Sequence, residues 1–203
     1  MNNSIKFYMI PISPWSYLSM DRIRLLSERY TIPIEVKPID LFYIFEKNNI
    51  KKVFERPLPI QENRLNELKR WSEYLNIPLK LNPKNFPIDP INSIKLVIAS
   101  NLVYDFYKSF DITKKICEAF WVEERDISNE NELLSIANSF GEDKTLKKLM
   151  NSKIVADKLK ENTEEALNDK VFGVPSFVYN NKMFWGQDRI FFLEKEIKNI
   201  NNV

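Results

Sequence analysis

The chain has 203 residues, 44% of them hydrophobic and 29% charged, enough to bury a real core and too apolar for disorder. Basic residues number 30 and acidic residues 28, and a net charge of +2 gives no electrostatic case for nucleic acid or an anionic membrane. With no histidine and a single cysteine, Cys117, the chain excludes a histidine base, a Ser-His-Asp triad, a His or Cys metal site and an internal disulfide. The opening MNNSIKF has no charged region ahead of a long apolar stretch, and no apolar run reaches the ~18 residues of a membrane helix. A soluble, cytoplasmic protein is expected.

Residues 4–10 alternate as a strand, with Ile5, Phe7 and Met9 on one face. A helix is expected to start at Ser13, where serine at the N-cap precedes proline at the first helical position. Leu18, Ile23, Leu26 and Tyr30 form its buried stripe. Residues 32–40 read as a second strand ended by Pro38, so the first 40 residues form a strand–helix–strand unit with a parallel pair.

Residues 61–169 carry no good strand signal. Apolar residues recur there at helical spacing: Leu65, Leu68, Trp71 and Leu75, then Ile94, Val97, Ile98 and Leu102. Ile112, Ile116, Ala119 and Phe120 share a further face, as do Leu133, Ile136, Ala137 and Phe140, and Val155, Leu159 and Ala166. The end of the chain changes character. VFGVPSFVYNNKMFWGQDRI reads as strand, Asn180-Asn181 turn, strand, and a last helix runs from about Asp188 with Ile190, Leu193 and Ile197 inward. The expectation is an α/β thioredoxin-like domain from residues 1–42 and 170–203, with a helical domain inserted at 43–169.

Three places could carry chemistry. Ser13-Pro14-Trp15-Ser16 stands where a redox protein of this layout carries Cys-Pro-x-Cys. A helix N-terminus favours a thiolate, and a hydroxyl donating to that thiolate lowers its pKa. Ser13 could therefore hold a thiol from outside the protein, or it could only cap the helix. Pro175 is placed to face that helix end, and a cis bond there would expose the backbone of Val174 to an extended peptide; a trans proline opening an edge strand is the alternative. Gln187 and Asp188, where the last strand meets the last helix, could hold an ammonium and carboxylate, or Asp188 could act only as a cap. Trp15, Phe184 and Trp185 are candidates for an apolar pocket, and Cys117 reads as an inert buried thiol.

SPWSYLS, RWSEYLNIPL at 70–79, FWVEERDISNENELLSIANSFG at 120–141 and VFGVPSFVYNNKMFWGQDRIFFLE together resemble the 2-hydroxychromene-2-carboxylate isomerases. That family lies in the DsbA-like branch of the thioredoxin fold, close to the kappa-class glutathione transferases. The resemblance spans almost the whole chain and is most specific at the C-terminal motif. It implies reduced glutathione as cofactor, a small conjugated aromatic acid as substrate and a homodimer, with neither nucleic acid nor membrane as partner. Reversible thiolate addition would allow a bond to rotate before glutathione leaves unchanged.

By position, Ser13 matches the serine that contacts the glutathione sulfur. Val174 before Pro175 matches the residue pairing with the cysteinyl part, and Gln187 and Asp188 match the pair at the γ-glutamyl end. Asn49, with Asn48 as its neighbour in EKNNI, matches a glutathione-contacting asparagine, and Trp15 borders the acceptor pocket. The chain departs from the pattern at Ile10, Ile60 and Asn63, where the family carries Asp, Lys and Tyr. Arg56 or Arg64 could supply the missing charge. A kappa-type transferase or peroxidase, and a non-catalytic thioredoxin-fold binding protein, are the alternatives.

Overall fold

The computed structural model describes residues 4–141 and 144–201, with no side-chain description at 201. Strand β1 (Ile5–Met9) runs into helix α1 (Pro14–Tyr30) and then strand β2 (Ile34–Pro38), parallel to β1 with Phe7 opposite Val36. Strands β3 (Ser176–Tyr179) and β4 (Lys182–Trp185) close the sheet in the order β2-β1-β3-β4, both new pairings antiparallel. Asn180 and Asn181 take φ values of 50° and 61°, as a two-residue hairpin turn requires. The sheet is therefore the thioredoxin-like one expected. Its central strand β1 is buried on both faces, Tyr8 as well as Phe7, so alternation along it is incomplete.

Between β2 and β3 the described residues are helical. They form α2 (Leu41–Lys47), α3 (Leu58–Leu75), α4 (Ile91–Val103), α5 (Phe106–Trp121), α6 (Glu130–Asn138), α7 (Lys144–Met150) and α8 (Lys153–Asn168). The chain then returns through β3 and β4 to α9 (Ile190–Asn201). None of these helices is long and apolar enough to cross a membrane. Residues of β1, α1, α4, α5 and α8 belong to one continuous buried cluster, so the helical segment and the sheet share a core.

Local chemistry explains most boundaries. Asp40, Asp105, Asn129 and Ser152 cap α2, α5, α6 and α8 with side-chain oxygens. Thr31 and Asn76 end α1 and α3 in the left-handed conformation.

Several expectations need correction. α2 and α7 are short helices that apolar spacing does not announce. Only Leu68 of the α3 stripe is buried, because that helix flanks a cavity; Leu65, Trp71 and Leu75 are partly covered. Leu102 is 46% exposed near the end of α4. Phe140 lies beyond α6 and is half-buried. The last helix starts at Ile190, after a 3-10 turn over Gln187–Arg189. Cys117 is fully buried, and that burial pushes its thiol pKa well above the ordinary value, as an inert core residue.

Candidate functional site

Ser13 is the N-cap of α1. Its N–H donates to the Ile10 carbonyl at 3.1 Å, its carbonyl accepts from Tyr17 N–H at 3.1 Å, and its Oγ accepts from Ser16 N–H at 3.2 Å. The Ser13 hydroxyl proton thus remains available. Pro14 has no N–H, so the Trp15 N–H is the first-turn donor left without a protein acceptor among the described residues. Hydroxyl, open amide and helix dipole all favour an anion at this spot.

Ser13 is 7% exposed, and that remaining surface faces a cavity of about 350 Å³. Ser16, where a second thiol would stand in a redox motif, is fully buried, borders no part of this cavity and leaves its hydroxyl without a partner.

The cavity is walled mainly by rings and aliphatic chains. Phe42 and Phe45 come from α2, Phe54 from the 3-10 turn Val53–Glu55, Phe86 from the loop before α4, and Phe172 and Trp185 from the other end of the chain. Ile10 adds an apolar surface, Trp15 borders the opening turn of α1, and no Asp or Glu lines the cavity among the described residues. Its charged residues are Lys52, Arg56 and Arg64, each over a ring: Lys52 Nζ 5.0 Å from the Phe42 centroid, Arg56 5.8 Å from Phe45, Arg64 5.6 Å from Phe86. Arg56 Nε also donates to the Lys51 carbonyl at 3.0 Å. Arg64 makes no hydrogen bond or ion pair among the described residues. Burial, with the Arg56 charge adding, pulls its pKa down to about 10, so it stays charged at neutral pH.

The opposite wall is the loop before β3. Val174–Pro175 is cis, Val174 lines the cavity, and the Pro175 carbonyl accepts from Gly186 N–H at 2.9 Å. Gly173 is required here, since a Cβ would lie 2.6 Å from Trp185 Nε1; the indole rests against this loop and against Phe172, centroids 4.7 Å apart. Gly186 holds φ at 109°, and a side chain there would meet Asp188 Oδ1 at 2.7 Å.

Ser13, Trp15 and Val174 thus border one cavity, with Pro175 directly behind Val174. Gln187 and Asp188 sit next to this wall but outside the lining. Gln187 is 2% exposed and its amide oxygen accepts from the Arg22 guanidinium; Asp188 pairs with Arg189. Asn49 is exposed with φ at 54°, at the turn leaving α2, and it is Ile50 that lines the cavity. Ile60 and Asn63 are exposed and outside it, whereas Arg64 is in it; Phe184 is outside and Trp185 inside.

Sequence reasoning missed Arg22. From α1 it donates to Gln187 and to the Leu18 carbonyl, and it lies 5.9 Å from the Trp71 ring of α3. Burial lowers its pKa, opposed by the charge of Asp188. No sequence spacing joins residues 22, 71 and 187, so only the folded chain reveals the contact.

In this thioredoxin-like fold a capped helix end and the loop carrying a cis proline border one cavity, with the Ser13 hydroxyl at the cavity and Ser16 outside it. The chain belongs to the DSBA-like thioredoxin domain family, whose model matches residues 4–198. It is 27% identical over 192 residues to a 2-hydroxychromene-2-carboxylate isomerase of Pseudomonas putida, covering 94% of this chain and 92% of that one. It is 23% identical over 178 residues to glutathione S-transferase kappa 2 of Caenorhabditis elegans, covering 84% and 78%. A solved 2-hydroxychromene-2-carboxylate isomerase superposes with a TM-score of 0.80 at 25% identity, covering 97% of this chain and 95% of the other.

Proposed function

We propose that this protein is a cytoplasmic, glutathione-dependent isomerase of the 2-hydroxychromene-2-carboxylate isomerase type, acting on a conjugated aromatic pyruvate-like acid. The similarity to enzymes of that name, near full length, supports the reaction class. The observation that carries the site is Ser13, with a free hydroxyl proton at a helix N-terminus, bordering a ring-lined cavity whose described residues include cations and no carboxylate. A homodimer is part of the reading and rests on family resemblance.

The residues present fit the tripeptide. Ser13 O–H and Trp15 N–H converge on an anion position suited to a sulfur. Val174, which takes part in none of the loop backbone hydrogen bonds among the described residues, offers an extended strip for the cysteinyl unit. Asp188, with room left beside it by Gly186 and paired with Arg189, is the acceptor for the ammonium end, while Gln187 is fixed in place by Arg22. Asn49 is exposed at the turn leaving α2, one residue before the cavity-lining Ile50, and its part in holding the tripeptide rests on the family resemblance. Bound glutathione supplies a nucleophilic sulfur that adds reversibly to a conjugated double bond and is released unchanged. The chain's own part is to keep that sulfur ionised, hold the acid's ring among Phe42, Phe45, Phe86 and Trp15, and exclude water.

A calorimetric titration with reduced glutathione tests this. Ser13→Ala should weaken binding or turnover by about ten- to hundredfold, the worth of one hydrogen bond to a charged group of about 1.5–3 kcal/mol. Unchanged binding and turnover would remove Ser13 from the mechanism. Similarity to a kappa-class transferase keeps a second outcome in view. A chloronitroaromatic acceptor assayed beside a chromene acid separates conjugate release from isomerisation. No thermal shift with millimolar glutathione would favour a binding module over both enzymes.

A further inference from the structure

The Arg64 guanidinium is the least explained charge in the molecule. It projects from α3 into an apolar cavity, over the Phe86 ring, with the charge of Arg56 acting on it and no carboxylate among the described residues that line the walls. Such a group has given up part of its water without gaining a counter-ion among the described residues, and the charge of Arg56 adds repulsion. An anion entering the cavity relieves both terms, in a setting where low polarity strengthens the attraction.

Shape narrows the choice of anion. The guanidinium is planar and presents paired N–H donors that match a carboxylate. Aromatic rings flank it: Phe86 beneath, with Phe45 beneath Arg56 and Phe42 beneath Lys52. A flat conjugated acid meets this arrangement with its ring among the rings and its carboxylate at the cations. The carboxylate end of a flexible peptide has no use for aromatic walls.

We infer that Arg64, assisted by Arg56, is the carboxylate anchor of the acceptor site, and that the chain selects planar aromatic acids over their neutral analogues. The anchor deepens the proposed function and rests on it for the identity of the acid. Ser13 and Arg64 then divide the cavity, sulfur at the helix end and carboxylate at the α3 side. Arg64 lies one helical turn beyond Ile60, where the family pattern has its Lys, and next to Asn63, where that pattern has Tyr.

The test uses a thiol-free probe, benzylidenepyruvate, and its neutral amide, with binding read from quenching of tryptophan fluorescence, Trp15 and Trp185 bordering the cavity. Wild type should bind the acid about ten- to hundredfold more tightly than the amide, and Arg64→Gln should lose that margin for the acid while leaving the amide unchanged. Arg64→Lys should keep part of it, because the charge remains and the planar fork does not. Equal binding of acid and amide by wild type, or an Arg64→Gln variant that binds the acid as wild type does, overturns the anchor. The wild-type comparison decides the matter even if a variant fails to fold.

Glutathione and γ-glutamylcysteine are titrated into the same proteins. An Arg64→Gln loss seen for glutathione and not for γ-glutamylcysteine would assign Arg64 to the glycyl carboxylate and overturn its assignment to the acid. Absent glutathione binding, with acid binding that still depends on Arg64, would sink the proposed cofactor and leave the anchor standing.

Discussion

Two clusters of charge lie on this protein, and they are built in opposite ways. On the face of the sheet covered by α8, Lys6 sits 2.8 Å from both Glu165 and Asp169, Lys37 sits 2.8 Å from Glu165 and 3.1 Å from Glu35, and Tyr8 donates to Asp169 at 2.6 Å. Every cation there has carboxylates from another element. In the cavity, Lys52, Arg56 and Arg64 have rings and one backbone carbonyl. The first cluster fastens the helical segment to the sheet and is complete in the folded chain. The second is incomplete without something anionic, which is the mark of a binding site rather than of a structural one.

Mutations should separate the two. Asp169→Ala takes one of the two carboxylates from Lys6 and leaves the fully buried Tyr8 residue without its hydroxyl's acceptor, so urea denaturation should show a loss of about 1–3 kcal/mol. Arg64→Leu should show no loss in the same experiment, and a small gain of up to about 1 kcal/mol, since a half-buried charge with no ion pair among the described residues is exchanged for apolar surface. Equal destabilisation by both changes would erase the distinction drawn here.

Acid should act on the sheet cluster alone. Burial raises the pKa of Glu165, but hydrogen bonds from Lys37 and Lys6 outweigh it and hold the carboxyl below its ordinary 4.5. A carboxyl with a lowered folded-state pKa contributes stability that is full above the unfolded value and lost as pH falls through the folded one. The melting temperature should therefore drop as pH falls below the usual carboxylate range, and Glu165→Gln should flatten part of that drop, with Arg64→Gln leaving the slope unchanged. The smallest effect is expected at Lys52→Gln. Its ammonium is only partly covered, so acid affinity should fall by no more than about threefold in fluorescence titrations.

Much of the frame was legible in the sequence because it is written in local signals. Ser13-Pro14 at a helix start, Asn180-Asn181 in a hairpin, and apolar residues at fixed spacing each act through neighbours in the chain. The site was legible where it uses those same elements, as at Ser13, Trp15 and Val174. It was not legible where it depends on distant partners. Arg22 meeting Gln187, the half-covered stripe of α3, and the choice of Arg64 over Ile60 all follow from how α3 lies against α1 and the cavity. The short α2 escaped because seven residues hold too little periodicity to read, though its Asp40 cap is visible once the helix is known.

The cavity joins walls far apart in sequence, residues 10–15 with 172–174 and Trp185. During synthesis the early strands therefore wait for β3, which supplies the second neighbour of β1. Until those late residues leave the ribosome, β1 shows an unpaired edge and the chain can bind nothing at this position. The segment that leads from the cavity wall into β3 also brings the strand that shields that edge, so ligand-binding competence and protection from aggregation should arrive together.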